Sequence, residues 1–514
     1  MAEEREPPKE DRPGPVARAA GWFDSRLGLS YQLLRPAPRY SLNPFYWLGA
    51  LATVAFVIQG VTGSIMMLYY VPDPTLAYAT TQYIFQSVSY GTFLETIHLY
   101  TAYAMIMLAF MHMMRGYFVS VHKRPRELMW VTGMVMGFVT LGFGFTGYLL
   151  PWTIVSKSAT DVGLGMIGAL PPPVSSFLTF LIVGPGSDAT ELLRFYDLHV
   201  FVLPAVLLVL LVAKMYMLEA HGVSEPASGA PTLPQKKKLI PIFPDVSFYL
   251  FELAALFGTA VIIISVVFPL SLPPEYSAAL AGQYVAQPDW YFLWIYQILK
   301  IKAFEVAGLP VALSAVTLVF VALIALPFVD RGSTRSIASR KRYVTLGAIF
   351  VAEVLVLAIW GYLTPGQVIP NEQAALVLGG TALLVCISSL AAYRLVFGGL
   401  KGAAARGSTS TTPDAPRATV AEQKSITTRS VAMWTAGSFV GLLAAGTFFI
   451  AACINQTVAG TVDGWTVAQA QGLAFSLGGL ALAVLGTLYL IYRLDLGNGT
   501  IRRRVKAFEV GWRE

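Results

Sequence analysis

Five histidines occur in this 514-residue chain, and three of them stand inside long apolar runs. His98 and His112 lie fourteen residues apart in "HLYTAYAMIMLAFMH". In a helix, fourteen residues rise about 21 Å and turn through close to four circles, so both rings leave one face, one near each end. His199, in "RFYDLHVFVLP", belongs to another run and sits at the depth of His98. Ionisable side chains are costly in lipid and are usually functional there. Imidazoles on facing helices at matched depth can ligate a metal or a haem iron between them. Spacing alone also allows three buried histidines bonded to neighbouring backbone.

The glycines carry the same period. Gly49 and Gly63 are fourteen apart in one run, and Gly133 and Gly147 are fourteen apart in another. A flat macrocycle between helices requires close backbone approach, which glycine permits. Small-residue helix packing accounts for either pair alone. Two glycine pairs sharing the histidine period favour ligation.

The elements that must hold these residues are membrane helices. The chain is 55% hydrophobic and 13% charged, with a mean hydropathy of +0.62, whereas soluble domains carry about 25% charged residues. Runs of about 20 apolar residues, the length that crosses a bilayer as helix, recur along it. We expect an all-α polytopic membrane protein with about ten spans, near 45–70, 92–118, 128–150, 192–218, 247–270, 308–329, 343–363, 374–395, 431–454 and 467–492. The stretches 153–190 and 271–300 read as amphipathic or irregular. Lys and Arg concentrate on alternate loops, such as "HKRPRE", "QKKKL", "DRGSTRSIASRKR" and "IRRRVK". By the positive-inside rule these loops and both termini face the cytoplasm. The net charge of +7 is then a topology signal, not a nucleic-acid footprint. Residues 397–429, rich in Gly, Ala, Ser, Thr and Pro, read as a flexible cytoplasmic linker. Cys386 and Cys453 read as buried small apolar residues. There is no CxxCH for c-type haem attachment and no disulfide framework. The charged, proline-rich start is not a signal peptide.

Over about residues 20–395 the chain resembles cytochrome b of the quinol-oxidising bc and bf (Rieske/cytochrome b) complexes. The resemblance rests on "YWLGALATVAFVIQGVTG", "HKRPRELMWVTG", "GYLLPW", "RFYDLHVFVLP" and "QPDWYFLWIYQILK", in the family's order. It is closest to the short chloroplast-type cytochrome b followed by its subunit IV, fused here through the basic loop 222–243. The implied layout is an N-terminal segment with an amphipathic helix (1–40), a haem-binding four-helix domain (41–221) and a subunit IV-like domain (222–395). A linker (396–430) and an additional two-helix extension with a basic tail (431–514) follow.

The resemblance implies two b haems stacked across the bundle. His98 and His199 would hold the outer haem, and His112 with a residue four turns after His199 the inner one. That residue is Lys214. Three readings stay open: the lysine amine ligates iron, it snorkels to the cytoplasmic surface, or the inner haem is absent. Burial and metal both favour the neutral amine. Where the family usually has arginine three residues before the first outer ligand, this chain has Glu95. Arg194 is a partial replacement as a propionate partner, and Arg115 is placed for the inner propionates or on the cytoplasmic face. Trp47 stands where the chloroplast-type enzyme anchors an extra haem, so none is expected.

Pro288, Asp289, Trp290 and Tyr291 match the family's quinol-oxidation signature, usually written with glutamate. Asp289 keeps a carboxylate able to take a quinol proton, and Tyr291 and Tyr148 would shape the pocket. The aspartate form suggests a low-potential quinone such as menaquinone. Glu219, His221, Lys236 to Lys238 and Asp245 border the inner quinone site or form a solvated loop. Glu252 and Glu353 are proton-path residues or pair locally.

The reading that follows is the cytochrome b subunit of a quinol oxidoreductase running a Q cycle in the cytoplasmic membrane. Its implied partners are a Rieske iron–sulfur protein and a c-type cytochrome or other acceptor subunit, in a homodimer by family resemblance. The competitor is a cytochrome b module linking the quinone pool to another oxidoreductase without a full Q cycle. A haem-free transporter or channel is the third possibility.

Overall fold

A computed structural model describes residues 36–407, apart from 185, 225–238, 308, 333, 334 and 336–338, together with residues 22 and 25. Eight helical segments among the described residues are long and apolar enough to cross a membrane. The two further spans expected near 431–454 and 467–492, Cys453, the N-terminal amphipathic helix and the linker beyond residue 407 lie outside the described residues, whereas 397–407, expected as the start of a flexible linker, continue the last described helix.

Helices dominate because lipid offers no partner for a free N–H or C=O, so each crossing must satisfy its own backbone. The first four crossings form a bundle. They are α1 (Leu48–Met66), α3 (Gly91–Phe118), α4 (Glu127–Leu149) and a long bent segment comprising α7 (Asp188–Asp197), a π-helical turn (Leu198–Val202) and α8 (Leu203–His221). α1 packs along α3, α8 along α4, and α3 against α4. Ala55, Met105 and Leu207 meet at mid-bundle, flanked by Phe56, Met136, Val139 and Phe143. The short α2 (Ala77–Ser87) lies against α3.

The stretch 153–190, expected to be amphipathic or irregular, contains α5 (Ile154–Gly168) and α6 (Pro172–Ile182). Capping boxes start α5 (Thr153 with Ser156) and α7 (Ser187 with Thr190), satisfying helix-end N–H groups by short polar side chains. Four more crossings follow: α9 (Ser247–Val267), α13 (Leu309–Val329), α14 (Lys341–Leu363) and α15 (Asn371–Gly407), with short α10 (Ala278–Ala281), α11 (Leu293–Leu299) and α12 (Lys302–Ala307) between α9 and α13. α9 packs on α1 and α3, α13 on α4, and α14 on α11, α15 and α3. The only strands among the described residues, β1 (Pro36–Pro38) and β2 (Leu239–Pro241), pair antiparallel.

At the end bearing the basic loops, one buried carboxylate ties the two parts of the chain together. Asp330, after α13, accepts from His122 Nε2 at 3.0 Å, Lys123 Nζ at 3.0 Å and Arg340 Nη2 at 2.5 Å. Burial pushes its pKa up, but hydrogen bonds from Lys123 and His122 and the Arg340 charge outweigh that and hold it below the usual carboxylate range. Removing one partner of a buried network leaves its counter-charges uncompensated, which costs about 3–5 kcal/mol. Asp330→Asn is therefore expected to lower the thermal unfolding temperature in detergent markedly. An unchanged midpoint would show that this network contributes nothing.

Cys386 differs from its expected burial: it is exposed and unpaired on α15. That helix presents Leu376, Leu383, Leu384 and Ile387 outward as well, so lipid rather than protein core explains its apolar surroundings.

Candidate functional site

The bundle brings the expected ligands into two groups. His98 on α3 and His199 on the π-turn face each other with ring centres 6.4 Å apart and planes at 62°. That separation leaves room for one metal ion between the two rings at metal–nitrogen distances of about 2.0–2.1 Å. Toward the other end, Lys214 and Arg115 are the charged groups acting on the His112 ring.

Each of these four side chains lies over one of the four glycines. A methyl group on Gly63 would sit 3.3 Å from His98 Cε1, one on Gly49 3.1 Å from His112 Cε1, and one on Gly133 2.7 Å from Lys214 Nζ. On Gly147 it would collide with the His199 ring. Lys214 therefore turns inward onto Gly133 rather than out to the surface, so the snorkelling alternative is not the conformation adopted.

The π-turn explains an irregularity in spacing. His98 and His112 are fourteen residues apart, but His199 and Lys214 are fifteen. A π-turn accommodates one additional residue in a helix and often occurs at functional sites. The turn at Leu198–Val202 absorbs the fifteenth residue and keeps Lys214 on the His199 face.

Sequence reasoning missed two threonines. Thr62 Oγ1 lies 2.8 Å from His98 Nδ1, and Thr146 Oγ1 lies 3.1 Å from His199 Nδ1. Each hydroxyl donates to the carbonyl four residues back, of Ile58 and Gly142 respectively, at 2.8 Å. With its hydrogen so committed, each oxygen accepts from the ring. Nδ1 then carries the proton and Nε2 the lone pair a metal needs. The available signal was the Thr-Gly dipeptide at 62–63 and 146–147. Gln59 also donates to the His98 carbonyl. His112 Nδ1 has no hydrogen-bond partner.

Arg115 is buried, with its guanidinium 3.8 Å from the centre of the Tyr46 ring and with Nε and Nη2 unpartnered. Arg194 instead donates to the Phe180 and Leu181 carbonyls at 3.3 and 3.2 Å. Glu353 carries a buried oxygen without a partner, while Glu252 is exposed. Lys236 to Lys238 lie outside the described residues. His221 and Asp245 are exposed, and the His221 carbonyl accepts from Arg126 at 3.0 Å.

Alongside α4, from Phe138 to Tyr148, a cavity of about 390 Å³ opens between that helix, α5 and the 288–299 segment. Its walls are mostly apolar, from Phe138, Phe145 and Met166 among others, and Pro288, Asp289, Tyr291 and Tyr148 line it too. The Asp289 carboxylate accepts from Tyr103, 2.9 Å from both of its oxygens, and Oδ1 from the Trp290 amide at 3.3 Å. Burial pushes the Asp289 carboxyl up to about 6, against the downward pull of those two hydrogen bonds. Trp290 is buried against Tyr103, 6.2 Å between ring centres, and does not line the cavity. The motif thus contributes three residues to the cavity and one to its support.

The assembled features define a class: a polytopic helical membrane protein with two sets of nitrogen donors inside a four-helix bundle and an apolar cavity against one of its helices. Residues 103–275 match the family model described as cytochrome b (N-terminal)/b6/petB, and residues 282–378 that described as cytochrome b (C-terminal)/b6/petD. A cytochrome bc complex cytochrome b subunit of Chlorobaculum thiosulfatiphilum is 33% identical over 339 residues, covering 63% of this chain and 78% of that protein. Cytochrome b of Sulfolobus acidocaldarius is 28% identical over 407 residues, 72% of this chain and 71% of that one. Cytochrome b6 of Heliobacterium mobile is 40% identical over 191 residues, 37% of this chain and 90% of that one. A solved structure described as hyperthermophilic respiratory Complex III shares the fold, with a TM-score of 0.60 at 24% identity, covering 72% of this chain and 97% of that chain. The chain belongs to the cytochrome b family, with the N-terminal and C-terminal parts fused in one polypeptide. The family brings with it haem b binding, electron transport and the role of an oxidoreductase subunit in a membrane.

Proposed function

We propose that this chain oxidises quinol at the outer face of the cytoplasmic membrane, within a Rieske/cytochrome b complex, and delivers electrons to a quinone on the cytoplasmic side. The residues fit two b haems. His98 and His199 would hold the outer one through Nε2, and His112 and Lys214 the inner one, with Gly49, Gly63, Gly133 and Gly147 giving the backbone approach. The unpartnered Arg115 nitrogens, buried beside His112, suit an acidic substituent of the inner group. Haem iron there supplies one-electron transfer between the two faces.

Asp289, its carboxylate held by Tyr103 in an apolar cavity, is the base for a quinol hydroxyl proton, and Tyr148 and Tyr291 shape the space for the quinol ring. One electron leaves to the iron–sulfur partner and one crosses the membrane through the bundle, while two protons are released outside. The other implied partners are a c-type cytochrome or equivalent acceptor, and a second copy of this chain. Basic loops on alternate helix ends support placing both termini in the cytoplasm. The short carboxylate supports a low-potential quinol such as menaquinol.

The observation that carries the proposal is the presence of two donor groups inside the bundle together with a carboxylate-bearing apolar cavity against α4. It is tested in the purified complex by adding menaquinol and following both acceptor reduction and the b-type absorbance. Reduction of both supports the Q-cycle reading. Lys214 in the inner group favours the second reading, a module feeding another oxidoreductase. Reduction of the b-type absorbance without an iron–sulfur partner in the complex would establish that reading instead.

A further inference from the structure

Tyr103 stands outside every sequence motif, on α3 five residues beyond His98. It is buried, and its ring meets Trp290 edge-on at 6.2 Å and Tyr291 at 6.3 Å. Its one hydroxyl hydrogen is shared between the two oxygens of Asp289, 2.9 Å from each. Tyr103 is not among the residues lining the cavity, whereas Asp289 is. The tyrosine thus holds the carboxylate from behind while the carboxylate meets the cavity. A lone aspartate could rotate about χ1 and χ2. A shared donor at equal distance from both oxygens fixes the plane of the group, and packing against two aromatic rings fixes the donor.

We propose that Tyr103 is the positioning residue of the outer site: its hydroxyl orients the Asp289 carboxylate toward the cavity and sets the pH at which that carboxylate takes up a proton. This rests on the quinol-site reading of the cavity. The titratable groups acting around Asp289 are Tyr103 from α3, Tyr148 from α4 and Tyr291 from its own segment. No Lys, Arg or His forms an ion pair with it among the described residues, and burial is the only influence raising its pKa. A donor to the ionised form favours that form. With the hydroxyl gone, only the longer Trp290 amide contact at 3.3 Å remains of the two hydrogen bonds.

The test compares wild type, Tyr103→Phe and Asp289→Asn in the purified complex, with b-type absorbance as the check that each is folded. Infrared difference spectra without quinol follow the carboxyl C=O band of Asp289, identified by its loss in Asp289→Asn, as pH is varied. In Tyr103→Phe the band is expected to titrate about one unit higher than in wild type. The acid limb of menaquinol oxidation should move up with it, and kcat should fall about tenfold. The same titration midpoint in both proteins overturns the proposal, whatever the rate. A shifted band with an unshifted rate profile also overturns it, because Tyr103 would then not serve the reaction. Full menaquinol oxidation by Asp289→Asn instead refutes the quinol-base reading and leaves the infrared result to stand or fall by itself.

Discussion

Asp289→Asn is expected to lower quinol oxidation by about 10²–10⁴-fold, the range for loss of a positioned general base. Asparagine keeps the shape of the side chain and can still accept from Tyr103, but it cannot take a proton at neutral pH. The loss should appear in kcat, with the b-type absorbance unchanged, because Asp289 lies outside both donor groups. Wild type carries a matching pH dependence. Burial lifts the Asp289 carboxyl to about 6, and only the ionised form accepts a proton. Oxidation should therefore hold above that pH and fall as pH drops through it. A wild-type rate in the asparagine variant, or a profile flat through pH 6, would remove Asp289 from the chemistry.

The second large effect is at the inner donor group. If His112 and Lys214 hold the proposed inner haem, Lys214→Ala should remove one of its ligands or release it, seen as a high-spin signal or as half the b-type absorbance. The amine lies over Gly133, among the groups around His112. An amine binds metal only when deprotonated. Acidification should therefore labilise this haem in wild type at a higher pH than in Lys214→His, where a less basic imidazole replaces the amine. An unchanged low-spin spectrum in Lys214→Ala would exclude the lysine as ligand.

The parts of this molecule that follow a period were readable in advance. Eight described spans follow from apolar runs, and the pairing of His98 with His199 follows from residue type and matched depth. The Gly-ligand stacking was visible only as a shared fourteen-residue spacing, since which glycine meets which ligand depends on helix rotation. The π-turn at His199 leaves no local mark; its trace is the fifteen-residue step to Lys214, which becomes meaningful only beside the fourteen-residue step on α3. Tyr103 was not readable because its contact with Asp289 spans 186 positions, and a tyrosine in an apolar run looks like packing. The Asp330 network was hidden for the same reason: His122 and Lys123 read as a basic loop until α13 delivers a carboxylate 208 residues away. Arg194 was placed as a propionate partner by its position in the chain, and its local contacts to the Phe180 and Leu181 carbonyls could not be read there.

Whether two haems span the membrane within this one polypeptide is tested most directly by haem b per chain in the purified complex. The account predicts two, one on His98 and His199 and one on His112 and Lys214. A value of one would mean that the electron path stops halfway across the bilayer, and would contradict the transmembrane reaction proposed for this protein.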